Sequence, residues 1–393
     1  MSLFTGISYD PRSHVATIGT GQIWRNVYSH LEQYNVTVVG GRVLEVGVGG
    51  LILGCGLSYL SDLYGLACDN VVNYEVNAQF NFDTIGLVLT RDQVVLANGS
   101  ILNANATFNT DLWWALKGGG NNFGVVTAFS LSTHPIHEVW GGVKIYSYNN
   151  TPAVLSAMSQ YQSEPNKDPY ANLITQVFTT NSSIGVVLTM VYLKPEVAPS
   201  AFKPFYSIPT VLDTTKIQTF SQVMGGQSVP AIPRFDWFTT TFKPSNSLYQ
   251  HLNNIITTAP ELKTLTSVTA GALALAFQPI SASVVHAGNA RGGNALGLQP
   301  VNQTWFALDT SHFFPADDAV AHNATRGIHE RIETLTRSNG SYLPYQFMND
   351  ASYDQDVLAH YGAANLRRLR DVQARYDPDL VFQRLVPGGF KLG

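Results

Sequence analysis

Apolar positions recur at helical spacing between Thr20 and Asn35, at Trp24, Val27 and Leu31, and predict one amphipathic helix. Residues 36–39 follow as a short strand. Residues 40–56 keep neither period: the stretch is apolar but rich in glycine, which suits backbone packed closely on a flat ligand. Two short β-branched runs, 94–96 and 101–102, flank Asn98-Gly99, a strong two-residue hairpin signal. Residues 110–116 read as a short helix, glycines stand at 118–120, and 125–131 reads as a strand closed by Pro135.

From about Val139 the texture changes. Runs at 143–148, 173–179, 185–193, 265–277 and 304–311 read as strands, with helices at 151–164 and 315–337 between them. That mixture predicts an α+β domain with a large antiparallel sheet. A last helix spans 362–376, with Leu366, Leu369 and Val372 on one face, and Pro378 stops it after Asp377. The apolar residues of 381–393 predict a tail that docks. There is no internal repeat.

Composition narrows the class. A chain of 393 residues allows two to three domains, and 45% hydrophobic residues suffice for a large core. Only 13% is charged, against roughly 25% in a typical soluble domain. The net charge is −4 and no basic stripe exists, which argues against nucleic-acid binding. The most apolar stretch, 46–60, is split by glycines 47, 49, 50, 54 and 56, so no membrane span is expected. Acceptor sequons at Asn35, Asn98, Asn105, Asn149, Asn181, Asn302, Asn323 and Asn339 suit the secretory route, although residues 1–11 hold no signal-peptide pattern. Cys55 and Cys68 allow at most one disulfide, and each reads first as a buried inert thiol. The ten histidines are scattered without zinc-ligand spacing, so no metal site is expected.

Three glycine groups crowd the first third: 40–41, 47–50 with 54–56, and 118–120 with 124. The first G-x-G lacks the last glycine of a dinucleotide fingerprint, and Lys117 precedes its glycines instead of ending a phosphate-binding loop. Taken alone, the clusters fit either tight turns or backbone approach to a cofactor.

The ordered series Gly21-Gln22-Ile23-Trp24, Val38-Val39-Gly40-Gly41-Arg42, Val46-Gly47-Val48-Gly49-Gly50, Leu53-Gly54-Cys55-Gly56-Leu57-Ser58 and Asp69-Asn70-Val71 resembles the FAD domain of the vanillyl-alcohol-oxidase/PCMH superfamily. Asp111-Leu112-Trp113-Trp114-Ala115-Leu116-Lys117-Gly118-Gly119-Gly120 and Asn122-Phe123-Gly124-Val125-Val126-Thr127 continue it. The stretch 288–298, Met348-Asn349-Asp350 and Tyr376-Asp377-Pro378 are similar to the berberine-bridge-enzyme-like branch. The resemblance spans the whole chain.

Three departures stand out. Relatives carry an Arg-Ser-Gly-Gly-His loop that cradles the pyrophosphate and often anchors the flavin through its His; this sequence has none, as if it began at an internal methionine. The family pattern runs from Glu75 straight into the 94–99 hairpin, so 76–93 reads as a retained intron or a natural insertion. The Cys of doubly linked relatives is replaced by Val43, so no second flavin link is expected.

The resemblance implies a PCMH-type FAD-binding domain at 1–137, a substrate domain at 138–344 and a C-terminal segment, 345–393, returning to the first domain. It implies FAD as cofactor, with Gly47, Gly49, Gly50, Gly54, Cys55, Gly56, Gly124, Val125, Val126 and Asn349 around it. The family's Asn-Tyr motif becomes Asn349-Asp350, so Asp350 and Tyr345 are the catalytic candidates, Tyr345 read as sharing a strand face with Phe347 and Asn349. Gln278 and His312 are pocket candidates. The implied activity is oxidation of a small organic molecule or a carbohydrate, with O₂ as acceptor, by a monomer. A truncated, catalytically dead remnant and a secreted carbohydrate-binding glycoprotein are the alternatives.

Overall fold

The computed structural model describes residues 2–74, 94–179, 185–226, 232–269 and 271–393. The segment 76–93 and the sequon at Asn181 lie outside them. The chain divides into two compact units. The first comprises Met1–His137, Val284–Leu298 and Asp356–Gly393; the second comprises Glu138–Ser283 and Gln299–Gln355. The expected boundaries therefore shift twice. Residues 345–355 stay with the second unit, and 284–298 crosses into the first.

The first unit is built on short strands: β1 (Ile7–Asp10), β2 (Val15–Gly19), β3 (Thr37–Val38), β4 (Val71–Tyr74), β5 (Val94–Val95), β6 (Ile101–Leu102), β7 (Ala104–Asn105), β8 (Val125–Val126) and β9 (Ala128–His134). One sheet runs β1-β2-β9-β4-β7, with β3 also on β9, and a smaller one runs β6-β5-β8. The run read as one strand over 125–131 is broken at Thr127 and feeds both sheets. The first helix, Trp24–Glu32, buries Trp24, Val27, Tyr28 and Leu31, the stripe its spacing predicts. The glycine-rich stretch, read as irregular, contains the short helix Val48–Leu53.

The second unit carries β10 (Glu138–Tyr146), β11 (Ala171–Phe178), β12 (Val186–Tyr192), β13 (Leu212–Asp213), β14 (Lys216–Thr219), β15 (Arg234–Phe242), β16 (Ala272–Ile280), β17 (Gln303–His312) and β18 (Tyr342–Leu343). They form one sheet ordered β13-β10-β12-β11-β16-β17-β15-β18, with β14 also on β10. The helices Thr151–Ser163, Asn246–Thr258 and Asp318–Ser338 cover one face, packing on Leu273, Leu275, Phe277, Phe306, Leu308, Phe238 and Phe242. The run read as a strand over 265–277 is a correction: Glu261–Ser267 is helical, and the strand starts only at Ala272. Gly271 lies between them, and a side chain there would collide with the carbonyl of Leu265, 2.3 Å away.

Candidate functional site

In the first unit the glycines have two different reasons. A Cβ on Gly40 would stand 2.2 Å from the Trp24 ring, one on Gly41 2.5 Å from it, and one on Gly56 2.1 Å from Leu51. These positions are bare because the protein itself fills the space. Gly50 differs: nothing lies within 4 Å of where its Cβ would be, and the residue is exposed. Gly47, also exposed, starts the helix Val48–Leu53 from an extended conformation with no side-chain cap. Gly49 is bare toward Thr20, whose carbonyl would be 3.2 Å from a Cβ. The turn at 47–50 thus offers naked backbone outward, which fits a planar ring or a phosphate.

The expectation for Gly54–Cys55–Gly56 is corrected. Gly54 caps the helix Val48–Leu53. Cys55, in a left-handed conformation, is disulfide-bonded to Cys68 and fully buried. Neither cysteine is an inert thiol, and this turn is spent on internal packing. The expected main-chain edge at 124–126 is also partly used, because Val125 and Val126 pair with β5.

Behind the turn lies a buried polar lock. Lys117 is fully buried, donates to the Arg291 carbonyl at 3.0 Å and sits 3.4 Å from the Trp113 ring centre. Burial pulls its pKa down to about 8 against the attraction of Asp69. Burial also raises Asp69, which accepts hydrogen bonds from Asn294 and the Leu66 N–H. These contacts fix the returning segment 288–296 and leave Lys117 a structural role.

The second unit supplies polar chemistry on the sheet face opposite its helices. Gln278 of β16 opposes Trp305 of β17, Ala276 opposes Ala307, and Ala274 opposes Asp309. On the other side of β17, Thr239 of β15 opposes Ala307 and Trp237 opposes Asp309. Alternation puts all of these on one face. The chain after β18 runs over that face: Tyr345 and Phe347 pack on Trp305, with ring centres 4.9 and 4.6 Å from it. The turn Met348–Asp350 then brings Asp350 within 2.7 Å of the Gln278 amide, which donates to it. Tyr345 and Phe347 share a side as expected, but the turn takes the exposed Asn349 off that alternation.

His312 does not join this group. It opposes Arg234, an even position of β17, and so lies on the helix-covered face. There it bonds Asp318, which Arg234 also grips. Asp309 is the residue that sequence reasoning missed. It is 9% exposed. Burial, then the negative charge of Asp350, push its pKa up to about 7. A buried, perturbed carboxyl on such a face marks a site. Among the described residues no cluster of His, Cys, Asp or Glu is placed to hold a metal.

The likeness to known proteins agrees with this division. A family profile described as an FAD binding domain matches residues 1–78. An FAD-dependent monooxygenase of Arthrobotrys oligospora is 36% identical over 398 residues, covering 99% of this chain and 72% of that protein. The bifunctional solanapyrone synthase of Alternaria solani is 34% identical over 394 residues, covering 98% and 71%. Among solved structures, 6-hydroxy-D-nicotine oxidase from Arthrobacter nicotinovorans superposes with a TM-score of 0.75 at 18% identity, covering 97% of this chain and 80% of that one. Berberine bridge enzyme from Eschscholzia californica gives 0.72 at 16%, covering 97% and 78%. At such identities the structures speak for the fold. The chain belongs to the FAD-linked oxidoreductases that these fungal relatives represent, and it has the fold of 6-hydroxy-D-nicotine oxidase and berberine bridge enzyme. It is an enzyme, and its cofactor is FAD.

Proposed function

We propose that this enzyme oxidises a small, largely apolar organic molecule of secondary metabolism and passes the electrons to O₂. The observation that carries this reading is the composition of the second unit's sheet face away from its helices. That face carries Ala274, Ala276 and Ala307 beside Trp237 and Trp305, and its polar side chains are few: Thr239, Gln278 and Asp309, with Asp350 held on Gln278. Alanine methyls and indole rings favour an apolar body, and sparse polar groups orient it. The solanapyrone synthase likeness supports a small-molecule substrate. Bound FAD supplies a two-electron acceptor for a substrate C–H bond. The outward backbone at Gly47 and Gly50 holds that cofactor.

The test is direct. Purified protein should absorb as a flavoprotein, bleach without oxygen when given apolar small molecules, and consume O₂ in air. A flavin-loaded protein that responds only to oligosaccharides would replace this reading with a carbohydrate oxidase.

A secretory location completes the proposal. The Cys55–Cys68 disulfide suits an oxidising compartment. The sequon residues Asn35, Asn98, Asn149, Asn323 and Asn339 are exposed. Asn302 is tied to the Gln162 carbonyl and the Ala282 N–H, which leaves it a poor acceptor. Protein from the native host should lose mass on treatment with an N-glycanase; an unchanged mass removes this part.

A further inference from the structure

We propose that Asn35 carries an N-linked glycan whose first sugar lies on the rings of Tyr34 and Tyr9. The inference rests on the secretory location proposed above and deepens it, by assigning one modification site and a role for it.

The site grows from the end of a helix in the first unit. Beyond Glu32 the chain turns on three backbone bonds: the Tyr34 N–H donates to the Leu31 carbonyl, the Asn35 N–H to Glu32 and the Val36 N–H to Leu31. The last two form the crossed pair that closes many helices, and they put Asn35 at the position where glycine is usual, with a φ of 55°. Asparagine is among the few residues with a side chain that adopt this left-handed conformation readily. The turn leaves Asn35 exposed.

Beside it stands an aromatic platform. Tyr34 is 45% exposed, and its ring centre lies 5.1 Å from that of Tyr9 on β1 and 5.8 Å from that of His30. Rings gathered at a surface point to something that covers them. A pyranose suits two tyrosines: its C–H face meets the ring faces, and its hydroxyl rim meets the phenol groups.

The independent observation is Thr37, the third residue of the sequon Asn35-Val36-Thr37. Thr37 opens β3 opposite His134 and is 3% exposed, and its buried hydroxyl has no hydrogen-bond partner among the described residues. Such a group is a cost that valine would avoid. The folded chain gives the hydroxyl no task, whereas glycan transfer requires it. Because β3 buries Thr37, transfer precedes the pairing of β3 with β9 and belongs to the nascent chain. Other sequons lack this combination. Asn105 donates to Asn73, Asn302 donates to the Gln162 carbonyl, and Asn323 lies inside the helix Asp318–Ser338.

The donor is an oligosaccharide carried on a lipid pyrophosphate. The Asn35 amide nitrogen forms a bond to C1 of the first sugar, and the bond from C1 to the phosphate oxygen breaks. The amide loses one proton, the lipid pyrophosphate leaves with the bonding pair, and nothing is oxidised or reduced.

The first test is peptide mass spectrometry of protein secreted by the native host, after N-glycanase release in heavy-oxygen water, which labels every formerly glycosylated Asn. Asn35 should be labelled. Labels at Asn98 or Asn149 without one at Asn35 overturn this proposal and leave the secretory reading standing. No label at any sequon overturns both.

The second test uses flavin-loaded variants from the same host. Adding Thr37→Val to Asn35→Gln should not lower the thermal midpoint; a lower one gives the hydroxyl a structural task and overturns the argument from Thr37. Wild type should melt higher than Asn35→Gln, and Tyr34→Ala made in both should at least halve that difference while Asn35 of the Tyr34→Ala protein stays glycosylated. An undiminished difference, or none in the wild type, overturns the platform.

Discussion

The cofactor cradle of the first unit and the sheet face of the second are built on opposite principles. The cradle depends on missing side chains: Gly47 and Gly50 leave backbone open outward, while Gly40, Gly41 and Gly56 clear room for Trp24 and Leu51. The sheet face depends on side chains that are present, Gln278, Asp309 and Asp350, brought together across more than 70 residues of sequence. An absence can be tested by adding atoms, and a presence by removing charge. The same substitution logic therefore gives opposite signatures in the two regions.

Within the cradle, the largest expected effect comes from the glycines filled from inside. Gly40→Val should cost about 3 kcal/mol or more, because the Trp24 ring is fully buried and cannot yield. A urea midpoint unchanged from wild type would show that the packing there is loose. Next is the disulfide. Replacing Cys55 and Cys68 together by Ala should cost about 3 kcal/mol, the value for a loop of this length. The thermal midpoint of the double variant, set against wild type, checks it.

A third comparison uses pH. His134 stacks on Tyr64 and bonds Asn70, and burial, then Arg291, pull its pKa down to about 4. The unfolded chain binds a proton below about 6.5 that the folded chain refuses, so stability is lost as pH falls from 6.5 toward 4. Asp309 slopes the other way across much of that range. His134→Gln should remove about 2 kcal/mol of acid sensitivity between pH 7 and 4.5. Urea midpoints at the two pH values measure it, and an unchanged difference would mean His134 is solvated. The smallest stability effect belongs to Gly50→Val, expected within about 0.5 kcal/mol of wild type because the site is open. Its expected consequence is loss of flavin.

The two regions also differed in how far the sequence revealed them. The cradle is local, so its glycines and the helix stripe at Trp24, Val27 and Leu31 stand out as patterns along the chain. What the pattern hid was the reason for each glycine, which is a three-dimensional neighbour such as the Trp24 ring. It also hid the disulfide, since two cysteines 13 residues apart give no sign of whether their sulfurs meet. The sheet face was harder. β17 is buried on both faces, so apolar–polar alternation does not announce which side Asp309 occupies. His312 looked equally eligible until the register placed it opposite Arg234. Asp350 was singled out, but its partner Gln278 and its effect on Asp309 depend on strand pairing that spacing does not encode.

The central claim is that the first unit's bare backbone holds the flavin, and that Asp309 of the second unit takes no part in holding it. The most direct check is flavin content, read by visible absorbance per mole of folded protein, in Gly50→Val and Asp309→Asn side by side. The account predicts a folded but colourless Gly50→Val protein and an Asp309→Asn protein as yellow as wild type. A yellow Gly50→Val protein beside a colourless Asp309→Asn protein would contradict it.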